Sequence, residues 1–208
     1  MGRPRKPLIS RRRTLQAALN IIDEEGLGAL SIRRLGHELN VQGISLYHHF
    51  TNKDAILTGV CELALEKVAT PDRTEVDWRE WLLGNAIELR RALLAHPNLL
   101  PALINFRPLR IGMAEQNASA GLLAVQGVPP QAIMPLLEGL GELAFGSVCY
   151  NSILDAPELS ESWRDEHPFL YHLSKNPRID MDALFEAKAR ALLNGMIEAL
   201  DIPIPPSK

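Results

Sequence analysis

The sequence predicts an all-α protein with a small N-terminal part and a larger C-terminal part. Apolar residues recur at helical spacing from one end of the chain to the other, and alternating strand patterns are absent. Serine, asparagine or aspartate precedes several of these apolar runs, as expected at helix N-termini. The 208 residues are 46% hydrophobic, which is enough for one large domain or two small ones with a genuine core.

The first helix is predicted over residues 11–26. Leu15 and Ile22 mark an apolar face with spacings of three, four and seven residues. Ser10 can cap the start of this helix and Gly26 ends it.

Two short helices are predicted next. Ser31 caps a helix that runs to Leu39, and Asn40 follows at a point that calls for a residue tolerant of the left-handed backbone region. A further short helix should run from about Gln42 to Phe50.

The remaining helices follow from the same apolar spacing. Asn52 caps a connecting helix of about residues 53–69, and Pro71 closes the first unit. The region from Ala156 to Ile179 is rich in proline and charge, so a mobile connection with one short helix is expected there. Asp180 caps the final helix. The other helical segments are predicted near Leu82–Leu93 and at about 97–105, 109–126 and 130–154.

Charge divides the chain unevenly. Residues 1–54 hold nine basic and five acidic residues, a net charge of +4, whereas the other 13 basic and 20 acidic residues give −7. This division suggests that the first quarter meets a polyanion. We therefore predict a flexible basic arm at 1–10, a polyanion-binding domain at 11–70 and a separate, larger helical domain at 71–208.

Composition argues against several other classes of protein. Cys61 and Cys149 are the only cysteines, and neither belongs to a disulfide framework or a zinc motif. The basic N-terminus is not followed by the apolar segment of a secretion signal, and no uninterrupted apolar stretch is long enough for a membrane span. A cytoplasmic protein without a membrane partner, metal or cofactor is expected.

Residues 31–50 form a helix-turn-helix pattern, with two short helices around the tight turn Asn40–Val41. The second helix would lie in the major groove of DNA. Two other interpretations stay open, that Tyr47 is a core aromatic residue and that His48 and His49 bind a metal. The residues that this helix would expose to DNA are Gln42, Gly43, Ser45, Tyr47, His48 and His49.

The stretch 12–60 resembles the DNA-binding domain of the TetR family of bacterial repressors. The resemblance is carried by the run Ala18–Leu35, by Leu46-Tyr47-His48-His49-Phe50 and by Asn52-Lys53-Asp54. It extends more weakly over the rest of the chain.

The resemblance implies particular roles for basic residues. Arg33 would read a base, and Lys53 would grip a phosphate at the start of its helix. Arg33 and its neighbour Arg34 could instead belong to an ordinary solvated helix face. Arg3 and Arg5 would enter an adjacent minor groove, unless the arm is only a solubilising tail.

The helix around residues 136–149 is apolar on nearly every face, so we expect it to be buried. With the final helix it resembles the family's dimer interface, a four-helix bundle, although packing within a monomer is the alternative. The predicted interface residues are Leu136, Gly139, Leu140, Leu143, Gly146, Phe185, Leu192 and Met196.

Polar residues among the apolar ones between Trp78 and Asn151 are candidates for an effector pocket. By resemblance, Asn85 and the Arg107-Pro108 pair match tetracycline-responsive members of the family. Leu103 and Tyr150 stand where those members have a histidine and a glutamate that help to hold a magnesium-chelated drug, which argues against tetracycline itself. The predicted pocket residues are Asn85, Leu89, Leu103, Arg107, Asn117, Glu142 and Tyr150.

These observations predict a ligand-responsive repressor that binds a palindromic operator as a homodimer and is released by a small apolar or amphipathic effector. Residues 11–70 would be its helix-turn-helix DNA-binding domain, and residues 71–208 its ligand-binding and dimerisation domain. An architectural DNA-binding protein without a ligand is one alternative. A helical-bundle enzyme is another, but the sequence contains no nucleophile elbow, no zinc-protease motif and no phosphate-binding loop. Glu138 and Glu142 are the only carboxylate pair one helical turn apart in the apolar region.

Overall fold

Every regular element in the described ranges of the computed structural model is a helix, which confirms the predicted all-α fold. The structure describes residues 10–66, 68, 77–105, 112–153 (151–153 as backbone alone), 161, 163–175 and 180–203.

The α-helices are α1 (Arg11–Glu25), α2 (Ile32–Glu38), α3 (Lys53–Leu65), α4 (Trp78–Ala95), α5 (Leu100–Asn105), α6 (Met113–Val125), α7 (Pro130–Ile153), α8 (Trp163–Glu166), α9 (Pro168–Ser174) and α10 (Met181–Ala199). Short 3₁₀ helices occur at Leu27–Ala29, at Gly43–His48, called the 3₁₀ helix below, and at Pro97–Leu99.

The chain forms two compact units. Unit 1 takes the described residues of 1–70 and 91–118, and unit 2 those of 71–90 and 119–208. Unit 1 thus includes described residues of 91–118 in addition to those that precede the predicted division at residue 70. Side chains such as Leu99 are fully buried in unit 1, because the segment after α4 lies against α1.

Side-chain caps begin the helices of unit 1 where the sequence predicts them. Ser10 Oγ accepts a hydrogen bond from the Arg13 amide at 3.3 Å, and Ser31 Oγ accepts one from the Arg34 amide at 3.0 Å. Asn52 Oδ1 accepts from the amide of Ala55 at 2.8 Å. Each cap satisfies a backbone donor that the first turn of a helix leaves free.

The turn after α2 also follows the prediction, because Asn40 has a φ of 56°. The expected helix at 42–50 is shorter and tighter than predicted, a 3₁₀ helix. Its bonds join residues three apart, from the Ser45 amide to the Gln42 carbonyl at 2.9 Å and from the His49 amide to the Leu46 carbonyl at 3.0 Å. Gln42 precedes this helix without capping it by its side chain, so a longer α-helix lacks its usual start.

Two glycines let α2 and the 3₁₀ helix approach each other closely. A Cβ atom on Gly36 would lie 3.0 Å from the Val41 carbonyl oxygen, and one on Gly43 would lie 2.9 Å from Cγ2 of Ile32. The glycine at position 43 thus serves packing inside unit 1. This contact holds the start of the 3₁₀ helix beside the first turn of α2.

The core of unit 2 is formed mainly by α4, α6, α7 and α10, with Trp78 as its largest fully buried side chain. One face of α7 enters this core, and the buried residues of that face are Ala132, Ile133, Leu136, Leu140, Ala144 and Val148. The expectation that α7 is buried all round is therefore wrong for the isolated chain. The stretch Pro130–Tyr150 is long and apolar enough to cross a membrane by length and composition, yet its inward face packs against protein.

The region predicted to hold one short helix contains two, α8 and α9. The final helix begins as expected, because Asp180 Oδ1 accepts a hydrogen bond from the amide of Asp182 at 2.9 Å. Pro71 and the greater part of 154–162 lie outside the described residues.

Candidate nucleic-acid interface

The 3₁₀ helix presents a largely polar outer surface. Gln42, Tyr47, His48 and His49 are exposed, and Gly43 and Ser45 are partly exposed. Tyr47 is 52% exposed, so the core-aromatic interpretation is wrong. Buried Leu46 anchors this helix to the interior. The helix therefore exposes hydrogen-bond donors and acceptors while Leu46 keeps its place in the core.

Two adjacent arginines on α2 have different environments. Arg34 binds Glu25 through Nη2 at 2.6 Å and Glu38 through Nη1 at 2.8 Å. The hydrogen bond from Arg34 lowers the pKa of the Glu25 carboxyl, and the two carboxylates raise the pKa of Arg34. Arg33 is exposed and makes no ion pair with any described residue. The guanidinium of Arg33 is therefore available for an external anion or base.

Lys53 is the first residue of α3, directly after the capping Asn52. Its side chain is exposed and has no ion pair within the described part of the chain. The N-terminus of a 13-residue helix adds free backbone donors and a partial positive charge at the same place. This combination suits a phosphate group.

Close packing fixes α3 against α1. A Cβ atom on Gly59 would lie 2.8 Å from Cδ2 of Leu15. Arg12 forms a bidentate pair with Glu66, both bonds at 2.9 Å, and its hydrogen bond lowers the pKa of the Glu66 carboxyl. Arg11 lies 5.0 Å from the ring centre of Phe50. Part of the basic run at 11–13 therefore holds the unit together.

A polar contact at the end of α1 has no counterpart among the sequence-based predictions. His96 Nδ1 lies 2.9 Å from Oδ2 of Asp23, and Asn98 Nδ2 donates to the Asp23 carbonyl at 3.0 Å. The other carboxylate oxygen of Asp23 is buried without a described partner. These contacts join residues more than 70 positions apart, so local spacing carried no signal for them.

The predicted effector residues are divided between the two units. In unit 2, Asn85 and Leu89 are half-buried on α4, whereas Glu142 and Tyr150 are exposed on α7. In unit 1, Leu103 is buried and Asn117 is exposed, while Arg107 lies outside the described residues, as do Arg3 and Arg5. A groove of about 500 Å³ in unit 2 contains none of them and is lined by Arg79, Asn194, Ile197, Glu198, Asp201 and Ile202.

The predicted dimer residues need a correction. Leu136, Leu140 and Phe185 are at most 3% exposed because they point into the core of unit 2, so they offer no surface to a partner. A Cβ atom on Gly139 would lie 3.0 Å from Sδ of Met196 in the same chain, so this glycine serves contact between α7 and α10. Accessible surface remains on Leu143, Gly146, Leu192 and Met196.

No cluster of three or more histidine, cysteine or acidic side chains that could hold a metal occurs within the described ranges. His48 ends the 3₁₀ helix, His49 directly follows it, and both side chains are exposed. Adjacent helical side chains diverge, which suits contacts with separate groups better than shared coordination of one ion.

Comparison with known proteins agrees with this architecture. Residues 15–60 match the family model described as bacterial regulatory proteins, tetR family. The chain is 30% identical over 192 residues to the tetracycline repressor protein class G of Vibrio anguillarum, covering 87% of this chain and 90% of that protein.

Two solved structures are similar over nearly the whole chain. ActR of Streptomyces coelicolor in complex with actinorhodin has 28% identity and a TM-score of 0.73, over 93% of this chain and 99% of its own. A TetR variant of Acinetobacter baumannii AYE in complex with minocycline has 28% identity and a TM-score of 0.70, over 92% and 98%. With a relative at 30% identity matched over nine-tenths of its length, this chain belongs to the TetR family of bacterial regulatory proteins and is a helix-turn-helix transcriptional regulator, not an enzyme.

Proposed function

We propose that this regulator is a repressor that binds a palindromic DNA operator as a homodimer and leaves it when a small apolar or amphipathic effector binds. The observation that carries the proposal is the contrast on α2, where Arg34 is held by two carboxylates and Arg33 is left without a partner among the described residues. The ion pairs of Arg34 hold α2 in place, and the exposed side chain of Arg33 on the same helix faces outward.

DNA recognition would divide between base and phosphate contacts. Arg33, Gln42 and Tyr47 are assigned to base edges, because arginine and amide side chains form the specific pairs available in the major groove. Lys53 and the two histidines are assigned to phosphates, which position the protein without reading sequence. Arg3 and Arg5 are assigned to the adjacent minor groove.

A second copy is needed because one short helix contacts too few bases to select a single site in a genome. The surface of unit 2 supports such pairing. Leu143 and Gly146 form an accessible stripe on α7, three residues apart, and Leu192 and Met196 are accessible on α10. Gly146 is exposed, with open space where a side chain would be. We assign this stripe, with Leu192 and Met196, to the interface with a second copy.

The effector is assigned to the helices of unit 2. Two structural neighbours were solved in complex with minocycline and with actinorhodin. By resemblance, Tyr150 of unit 2 replaces a residue with which tetracycline-responsive members hold a magnesium-chelated drug, so an apolar or amphipathic ligand is the better expectation for this chain. An effector that prefers the state unable to bind DNA must itself bind more weakly when operator is present, by ~1–3 kcal/mol. A cytoplasmic location follows from this proposal.

Footprinting on the intergenic DNA that flanks the gene, with genome-wide selection as the second stage, tests the DNA claim. The expected result is a protected, approximately palindromic site with half-sites about 10 base pairs apart. No protected site anywhere in the genome would refute it.

The effector claim is tested by measuring ligand affinity with and without saturating operator, beginning with minocycline and actinorhodin as probes. Equal affinities for every ligand found would leave an architectural DNA-binding dimer.

A further inference from the structure

Ile44 is a large apolar side chain that stands out on the 3₁₀ helix. It is 71% exposed, although it lies between half-buried Gly43 and Ser45 and close to fully buried Leu46. A β-branched aliphatic side chain forms no hydrogen bonds with water, and its removal from water is favourable. If this face of the helix binds another molecule, the Ile44 side chain is removed from water and stabilises the complex.

Ile44 has an aromatic neighbour on the same side of the helix. A 3₁₀ helix has about three residues per turn, so side chains three positions apart are eclipsed. Tyr47 is therefore aligned with Ile44, and it is 52% exposed. Together they form a small apolar patch on a helix whose other exposed side chains are polar.

We propose that Ile44, supported by Tyr47, reads the C5 methyl group of a pyrimidine in each half-site of the operator, that is, the methyl group of a thymine. This inference rests on the proposed DNA-binding function. Among the groups at the floor of the major groove, the thymine methyl is the apolar one, and aliphatic and aromatic side chains are its usual contacts. The same group occurs on 5-methylcytosine, so the contact recognises a methyl-bearing pyrimidine and not a hydrogen-bonding pattern.

The test begins with selection of the tightest-binding duplex from a random library by the full-length protein. Each thymine of that duplex is then replaced singly by deoxyuridine, which removes only the methyl group. At one position per half-site we expect wild-type affinity to fall about fourfold, the equivalent of one buried methyl group. The Ile44→Ala variant should show less than a twofold loss at that position.

A second series separates the methyl group from the rest of thymine. At the sensitive position, cytosine should bind more weakly than thymine, and 5-methylcytosine should recover part of the loss for the wild type but none for Ile44→Ala. Ile104→Ala is the matched control, because Ile104 is also an exposed isoleucine of unit 1, at 58%, but lies on α5. It should respond to uridine as the wild type does.

The outcomes distinguish failure of the proposed function from failure of the Ile44 contact. If the library yields no preferred duplex, the proposed function fails and this inference fails with it. If a duplex is selected but every thymine can be replaced by uridine without loss, DNA binding stands and the role of Ile44 is wrong. The same conclusion follows if Ile44→Ala keeps the full uridine penalty while its thermal unfolding matches that of the wild type.

Discussion

The two units differ in the surfaces that their helices leave exposed. In unit 1, short helices begin at side-chain caps such as Ser31 and Asn52, and ion pairs such as Arg12 with Glu66 join their surfaces. In unit 2, long helices bury one apolar face in a shared core and leave much of another face uncovered, as α7 does. Unit 1 thus has a polar surface with specific groups left free, whereas unit 2 has an apolar stripe that suits a second copy.

The two surfaces suit different parts of the proposed function. In unit 1, exposed cationic and hydrogen-bonding side chains lie beside side chains that are held by ion pairs. This arrangement suits recognition of a polyanion, because hydrogen bonds to phosphates and bases require fixed directions. An accessible apolar stripe along a helix provides area for association, which is largely non-directional. The following predictions separate these two contributions.

The largest effect is expected from placing a charge in the stripe of unit 2. Gly146→Glu should leave the chain folded, since a Cβ atom there meets nothing within 4 Å, but should prevent dimerisation. Operator affinity should then fall by at least about 100-fold, because specific binding by the dimer exceeds non-specific binding by about 10³ or more. Sedimentation and DNA titration measure both effects.

Gly121→Glu is the matched control, because Gly121 is also exposed on a helix of unit 2 with open space around it. It should dimerise and bind DNA normally. Dimers of Gly146→Glu with wild-type stability would show that the stripe is not the interface.

Within unit 1, neighbouring arginines should separate recognition from structure. Arg33→Ala should lose ~1–3 kcal/mol of preference at defined base pairs with little change in the free energy of unfolding. Arg34→Ala should reduce stability, because it leaves Glu25 and Glu38 unpaired, and should keep the same base preference. A base-by-base substitution series in the operator measures the preference. The reverse pattern would show that the wrong arginine is assigned to DNA.

The contact at the end of α1 should contribute to the stability of unit 1. His96→Ala removes the partner of Asp23 Oδ2 and leaves a partly buried carboxylate unsatisfied, a loss of about 1–3 kcal/mol in the free energy of unfolding. Asn98→Ala removes one hydrogen bond to a backbone carbonyl and should lose only about 0.5–1.5 kcal/mol. Urea unfolding compares them, and a His96→Ala protein as stable as the wild type would contradict this assignment.

Lys53 should contribute to affinity but not to sequence preference. Lys53→Ala should weaken binding to all DNA sequences alike and lower the slope of log affinity against log salt by about one. Titrations on specific and random duplexes between low and high salt measure this slope. An unchanged slope would place Lys53 away from the phosphates.

The smallest expected effect is on the free energy of unfolding at low pH. Because the pKa of Glu25 is lowered in the folded chain, its stabilising contribution is present above the 4.5 of an unperturbed glutamate and is lost as pH falls through the lower folded value. The stability difference between wild type and Glu25→Gln should therefore stay constant from neutral pH down to about 4.5 and shrink below that pH. Glu24→Gln, at a site without an ion pair in the described structure, should show a smaller change. Parallel curves for Glu25→Gln and the wild type would contradict the pairing with Arg34.

The sequence predicted the features of unit 1 that depend on neighbouring residues. The caps at Ser10, Ser31 and Asn52 and the left-handed Asn40 are confirmed because each depends on residues no more than three positions away. Apolar residues at helical spacing were sufficient for the fold class, and the family followed from the resemblance carried by the runs at 18–35, 46–50 and 52–54.

Features set by distant contacts were not predictable in the same way. The pairing of Asp23 with His96 has no local pattern, and the inward direction of Leu136 and Phe185 depends on how α7 and α10 pack. Apolar residues on every side of α7 could not reveal which face the chain itself covers. The exposure of Ile44 was equally unpredictable, because an aliphatic residue at helical spacing resembles a core position.

The stoichiometry of the complex on its footprinted site tests the central claim most directly. Duplex carrying that site is held at a concentration far above the dissociation constant, protein is added, and the mass of the complex is measured by sedimentation. We expect saturation at two chains per palindromic duplex, and one chain on a duplex that carries a single half-site only at much higher protein concentration. Saturation at one chain per palindrome would contradict a DNA-reading unit that depends on pairing through unit 2.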